Sequence, residues 1–396
     1  MGSIKKYEIM FSKIVNTHWA RVLLVTIFIG TMFACSYSLG DYTPPMQQRF
    51  LVVDASLTDV NQEQKVVLSF SRLGLTNSNI QEPINDADVW IQEENGIKIP
   101  FQLKEKGIYL SAKNKGVTGK SYQLNFKLKD GRLYQSSFEK MPKPVPIDSI
   151  SVATSVDTRY PLENMLRGGF DISVNLKDTK NEAQYYQWEW ERYRKIFWCK
   201  SCPNGTAVGF DGDCVNGGQE TPSGEPKLYP CREDCYQKTT STNYVILKDE
   251  LVDGEKVKKQ VLRTPYIIDP DERPYGKFFI IIKQKLLTKN GFEWLNQNKN
   301  LVEANGTLFD VPPQSNFSGN VISLSNKEEK ILGIFNVYSI VEKVNIFNLT
   351  VPIPSARLKI QGEIGVPACL PDYRFCRVTC IESETRSQTP PRGWVQ

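Results

Sequence analysis

Along much of the chain, apolar and polar residues alternate one by one, the period of a strand with one face buried and the other wet. Tyr122, Leu124, Phe126 and Leu128 alternate with polar neighbours, as do Phe170, Ile172, Val174 and Leu176. Phe50 to Val53, Val66 to Phe70, "FFIIIKQKLL" and "ILGIFNVYSIVEKVNIF" read as further strands. Asn95-Gly96 and Asp130-Gly131 each separate two such runs, and both dipeptides suit two-residue hairpin turns that need positive φ. Phe292 to Ala304 carries the one clear helical pattern. The fold class expected is mainly β. Short strands with regular turns predict a small, Ig-like β-sandwich over residues 46–145. A second, mostly β domain with one helix is expected over residues 146–396. Between them, "MPKPVPIDSI" has three prolines and reads as a stiff linker.

The first 45 residues follow a different pattern. Lys5, Lys6, Lys13 and Arg21 precede an uncharged run, Val22 to Ala34, and then Cys35. A positive segment, a short apolar segment and a small residue before a cut are the layout of a secretory signal. The apolar run falls short of the about 20 residues that a membrane helix needs. "MFAC" resembles the lipobox of bacterial lipoproteins, with Met32 where Leu is preferred and Ala34 before the cut. Residues 1–34 are therefore expected to be a lipoprotein signal peptide, Cys35 the lipidated first residue of the mature chain and residues 35–45 its tether. Each buried acyl methylene adds about 0.8 kcal/mol to anchoring. An ordinary buried thiol at Cys35 is the alternative.

Composition narrows the chemistry. The formal net charge of the 396-residue chain is +5. The predicted signal removes four basic residues and Glu8, which leaves the rest close to neutral. Nucleic acid is thereby excluded as an expected partner, since phosphate binding needs a concentrated basic surface. The sole histidine, His18, lies in the predicted signal. Imidazole bases and histidine-containing triads are then absent from the mature chain, and it is not expected to be an enzyme. Carboxylate-pair hydrolysis of glycan or peptide stays open as the catalytic alternative.

The cysteines beyond Cys35 form two groups, Cys199, Cys202, Cys214, Cys231 and Cys235, then Cys369, Cys376 and Cys380. In an exported chain they are disulfide candidates, with 105 connectivities open. Both groups are odd in number, so complete pairing requires a bridge between them. The Cys-rich tail, residues 369–396, is thus expected to be stapled to the Gly/Pro-rich insertion at 199–235. No cofactor is expected; a structural zinc at Cys199-x2-Cys202 and Cys231-x3-Cys235 is the rival.

Smaller signals complete the candidates. Tyr186, Trp188 and Trp190 form a stripe that reads as a strand's inner face or, less favoured, a ligand-stacking platform. Asp148-Ser149-Ile150 resembles the O-glycosylation motif of Bacteroidota envelope proteins, at Ser149. "PINDADVWI", "GIYLS" and "GKSYQLNFKLKDG" resemble transthyretin-like or carboxypeptidase-regulatory modules in their order.

Taken together, "FLVVDASLTD", "PINDADVWI", "PVPIDSI", "AQYYQWEWE", "LFDVPPQSNFSGNVISLSNKEEKILGIFNVYSIV" and the tail ending in "PPRGW" resemble the Bacteroidota lipoprotein family called domain of unknown function 4249. The most specific block is Phe309 to Tyr338, with "GN" at Gly319 and Asn320 and "LGIF" at Leu332 to Phe335. The resemblance implies an outer-membrane lipoprotein, anchored through its lipid, that docks on a TonB-dependent transporter or another outer-membrane β-barrel complex and assists substrate capture. It supplies no catalytic residue. A structural or adhesive subunit of another outer-membrane complex is the alternative. "SYSLGD" after Cys35 carries no strongly acidic run of the kind that directs surface export, so the periplasmic and cell-surface sides both stay open.

Overall fold

The computed structural model describes residues 49–73, 79–159, 166–178, 180, 184–202, 205–208, 213–216, 227–241, 244–249, 254–265, 277–304, 319–348 and 377–394. The predicted signal peptide, Cys35, the tether, Cys369 and Cys376 lie outside them. The architecture below is that of the unit formed by Phe50–Ser71 and Ile80–Gln396.

Before the Pro-rich segment come β1 (Phe50–Thr58), β2 (Lys65–Leu73), β3 (Asn79–Pro83), β4 (Asp88–Glu93), β5 (Lys98–Glu105), β6 (Ile108–Ser111), β7 (Ser121–Lys127), β8 (Leu133–Ser136) and β9 (Glu139–Lys140). After it come β10 (Ser149–Arg159), β11 (Leu166–Lys177), β12 (Tyr185–Cys202), β13 (Gly205–Val208), β14 (Asp213–Asn216), β15 (Lys227–Thr240), β16 (Val245–Lys248), β17 (Lys256–Pro265) and β18 (Lys277–Leu287). The helix α1 (Lys289–Ala304), β19 (Val321–Ser323), β20 (Ile331–Asn348) and β21 (Arg386–Ser387) complete the described elements. The fold is mainly β, as the alternation predicts. Gly96 and Gly131 have φ of 92° and 91°, the positive values that the two Gly-containing hairpin turns require.

One ladder joins the two halves. Its order is β19-β8-β7-β4-β5-β6-β2-β1-β20-β18-β12-β15-β21, with β10-β11-β17 and β13-β14 as separate sheets. β1 and β20 run parallel, Val53 opposite Gly333, whereas β20 and β18 run antiparallel. The first core is built from inward residues of β1, β2, β4, β6, β7 and β8, and it also takes Val321, Ile331, Phe335 and Val337 from far along the chain. Residues from both ends of this stretch of ladder share one core, so the sheet curls over upon itself into a sandwich-like layering.

In the second core β11 and β17 meet β12 and β18: Phe170, Ile172, Val174 and Leu176 pack with Tyr186, Trp188, Ile280 and Ile282. The Pro-rich segment is part of the packing, since Met141 belongs to the first core and Val145 and Ile147 to the second. Gln284, fully buried, receives the Trp188 indole N–H at 2.9 Å and donates to the Val145 carbonyl at 2.6 Å. The prolines hold the backbone extended while the apolar residues between them anchor it to each core.

The Cys-rich insertion is the far end of the long β12–β15 ladder. Cys199–Cys231 links the two strands, Cys202–Cys214 clips the β13–β14 tip and Cys235–Cys380 ties in the tail. The last of these is the expected bridge between the two cysteine groups. Val378 forms a parallel bridge with Cys231, β21 pairs with β15, and Trp394 meets Tyr236 and Phe279 at 5.1 and 5.2 Å between centroids.

Candidate binding cleft

Alternation sets the lining of the cleft as well as the core. On β7 and β8, Tyr122, Leu124, Phe126 and Tyr134 point inward, so Gln123 and Gln135 point outward. Gln135 pairs with Ile322 on β19, whose outward side chain is 54% exposed. The helix stands beside this face. Thr288 caps it: its carbonyl accepts from Phe292 N–H at 3.0 Å and its hydroxyl from Gly291 N–H at 3.2 Å. The spacing of Asn290, Glu293, Trp294 and Gln297 puts all four on one side of the helix. Phe292, on another side, packs on Tyr185.

Between that helix side and the β7–β8–β19 face lies a cleft of about 470 Å³, also lined by Ser136, Ser137, Phe138, Gly319 and Asn320. This volume lies within the roughly 300–1,000 Å³ of ligand pockets. No lysine or arginine is among its lining residues, and Glu293 is the one carboxylate. On the opposite, inward face of β8, burial and the Glu329 carboxylate push the Tyr134 hydroxyl well above its ordinary value. Tyr134 is therefore held as a proton donor, 3.0 Å from that carboxylate.

A buried glutamate holds the cleft together from beneath. Glu139 is 3% exposed, and one of its oxygens accepts from Ser137 Oγ at 2.6 Å, Asn290 Nδ2 at 2.7 Å and Asn320 Nδ2 at 2.8 Å. Asn320 also brackets Phe335 of β20, accepting from its N–H and donating to its carbonyl, both at 2.9 Å. Three elements far apart in sequence converge on one carboxylate, and the polar rim is set before any ligand arrives. Glu139→Ala strands three donors and is expected to lower stability by about 2–4 kcal/mol. Urea unfolding measures it, and a loss under about 0.5 kcal/mol, the range of neutral surface changes, contradicts the role.

The residues singled out from sequence lie elsewhere. Tyr186 and Trp188, at 0% and 1% exposure, are stacked on each other in the second core and Trp190 packs against it, so the stripe is the strand's inner face, as favoured, and the less favoured ligand-stacking platform is set aside. A stripe facing another sheet has no surface to offer a ligand. Ser149 is exposed at the start of β10, where its hydroxyl accepts from Asn175 at 3.2 Å. The sulfurs of Cys199, Cys231 and Cys235 lie within 4.8 Å of one another, as metal ligands would. All three are bridged, however, and a bridged sulfur is no thiolate ligand. No helix of the described residues is long and apolar enough to cross a membrane.

A family profile with the description "Domain of unknown function (DUF4249)" matches residues 40–344. The chain belongs to that family. The match covers the whole cleft and ends within β20, short of the tail that Cys235–Cys380 ties in. Within DUF4249's span the "GN" and "LGIF" block has a physical meaning: Asn320 stitches to Phe335, and Gly319 lies against the Gly333 carbonyl. No curated protein matches the sequence.

Proposed function

We propose that this DUF4249 chain is a lipid-anchored accessory protein of the outer membrane that docks on a TonB-dependent transporter and captures its substrate. The observation that carries the capture role is the preset polar cleft around Glu139. Its amides and hydroxyls are suited to holding a ligand, and its single lining carboxylate, Glu293, lacks the facing partner that glycoside hydrolysis uses. The anchor rests on Lys5 to Cys35 and their lipobox-like spacing. Bridged cysteines suit the oxidising compartment that such export reaches. Confinement to a membrane raises effective concentration, so a modest interface with a barrel suffices for lasting contact.

Acyl labelling of cells tests the anchor. The wild-type chain is expected to take up labelled palmitate and to sediment with the outer membrane, and Cys35→Ala to lose both. A labelled Cys35→Ala variant, or an unlabelled soluble wild-type chain, contradicts the anchor.

A further inference from the structure

The cleft's lining also indicates what it takes up. We propose that it binds a neutral oligosaccharide, an inference that rests on the capture reading above. A sugar ring carries hydroxyls around its edge, each both donor and acceptor, and patches of C–H on its faces. Gln123, Gln135, Asn290 and Gln297 place primary amides on the sheet wall and the helix wall, and the Gln123 nitrogen already donates to the Ser136 carbonyl at 2.8 Å. Of these, the side-chain amides of Gln135 and Gln297 make no hydrogen bond to another described residue, so both are available to a ligand. Asn290 has its nitrogen committed to Glu139, which leaves its oxygen as the acceptor it can offer.

The apolar side chains complete the match. Trp294 lines the cleft beside Phe138 and Ile322, which are 48% and 54% exposed. Such surfaces accept the C–H faces of a pyranose while the amides take its hydroxyls. The lining itself holds no lysine or arginine, and its one carboxylate, Glu293, is balanced by Lys289 at 3.7 Å, so the site carries no net charge to attract an ionic ligand. A peptide would instead extend the three-residue edge strand β19 through backbone hydrogen bonds. The free amides project from the sheet face and from the helix, not along the backbone of that edge, which favours a ligand lying across the face.

The test uses the purified full-length protein without any transporter, so that failed docking leaves this result intact and failed sugar binding leaves docking intact. Maltohexaose, cellohexaose, xylohexaose and mannohexaose are titrated by saturation-transfer NMR, with hexagalacturonate and a neutral hexapeptide for comparison. At least one neutral hexasaccharide is expected to bind, with an affinity independent of ionic strength. Trp294→Ala is expected to weaken it about fivefold to tenfold. Gln135→Ala and Gln297→Ala, on solvent-facing positions that leave folding intact, are expected to weaken it about threefold to tenfold each. Lack of binding by all four, wild-type affinity in both glutamine variants, or binding of the hexapeptide alone overturns the proposal.

Discussion

Gly333→Ala is expected to yield no soluble folded protein. Gly333 sits in β20 with φ of 115°, and a Cβ built there lies 1.8 Å from the Val53 carbonyl oxygen and 2.6 Å from its carbon. Val53 is its partner in the parallel β1–β20 pair, so both colliding atoms are backbone and no side-chain rotation relieves them. Gly319 approaches from the other direction, where a Cβ would fall 1.5 Å from the Gly333 carbonyl oxygen. The substitution forces apart the one parallel pairing among the described ladders, at an expected cost above about 4 kcal/mol. Gly96→Ala is the control. It has φ of 92° but nothing within 4 Å of its built Cβ, so only the backbone term of about 1–2 kcal/mol applies. Soluble yield and the urea midpoint separate the two variants, and a Gly333→Ala protein with the wild-type midpoint sinks the close-approach account.

Replacing Cys235 and Cys380 together by alanine is expected to cost about 2–5 kcal/mol, the range for native disulfides that close long loops. The bridge spans 145 residues and is the described disulfide that ties the tail to the body. Without it, Val378 and Trp394 depend on short pairings to β15 and on ring contacts. Cys199–Cys231 differs, since it joins β12 and β15, strands already paired through an extended ladder, and its loss is expected to matter less. Residues 377–394 are expected to become protease-sensitive in the Cys235/Cys380 double variant and to stay protected in the Cys199/Cys231 one. Equal protection in both contradicts the staple.

What the sequence showed of this fold depended on how local the causes were. Asn95-Gly96 and Asp130-Gly131 specify their turns within two residues, and the Phe170 to Leu176 alternation marks the buried face of β11 by itself. The helix, by contrast, starts three residues before Phe292, because Thr288 caps it and Lys289-Asn290-Gly291 adds no apolar period. The Pro-rich segment reads as a spacer from its prolines, while its Met141, Val145 and Ile147 are core residues. The largest unread feature is the β1–β20 pairing, which no local pattern announces.

The cleft was illegible for the same reason. Gln123 and Gln135 look like any solvated strand positions, and Glu139 like any surface glutamate, until β8, β19 and the helix are brought together. Asn320 did carry a signal in its "GN" and "LGIF" block, which marked the position without disclosing that it ties Glu139 to Phe335. The aromatic stripe failed as a platform because Tyr186, Trp188 and Trp190 face a second sheet, which alternation within one strand does not reveal.

Under the proposed function, a membrane-anchored chain presents this cleft to a transporter. The most direct measurement is a mild-detergent pull-down of the natively lipidated, C-terminally tagged protein, with mass spectrometry of what accompanies it. A TonB-dependent transporter at near-equal stoichiometry, lost in Cys35→Ala, is the predicted result. Recovery of the lipidated protein alone would contradict the claim.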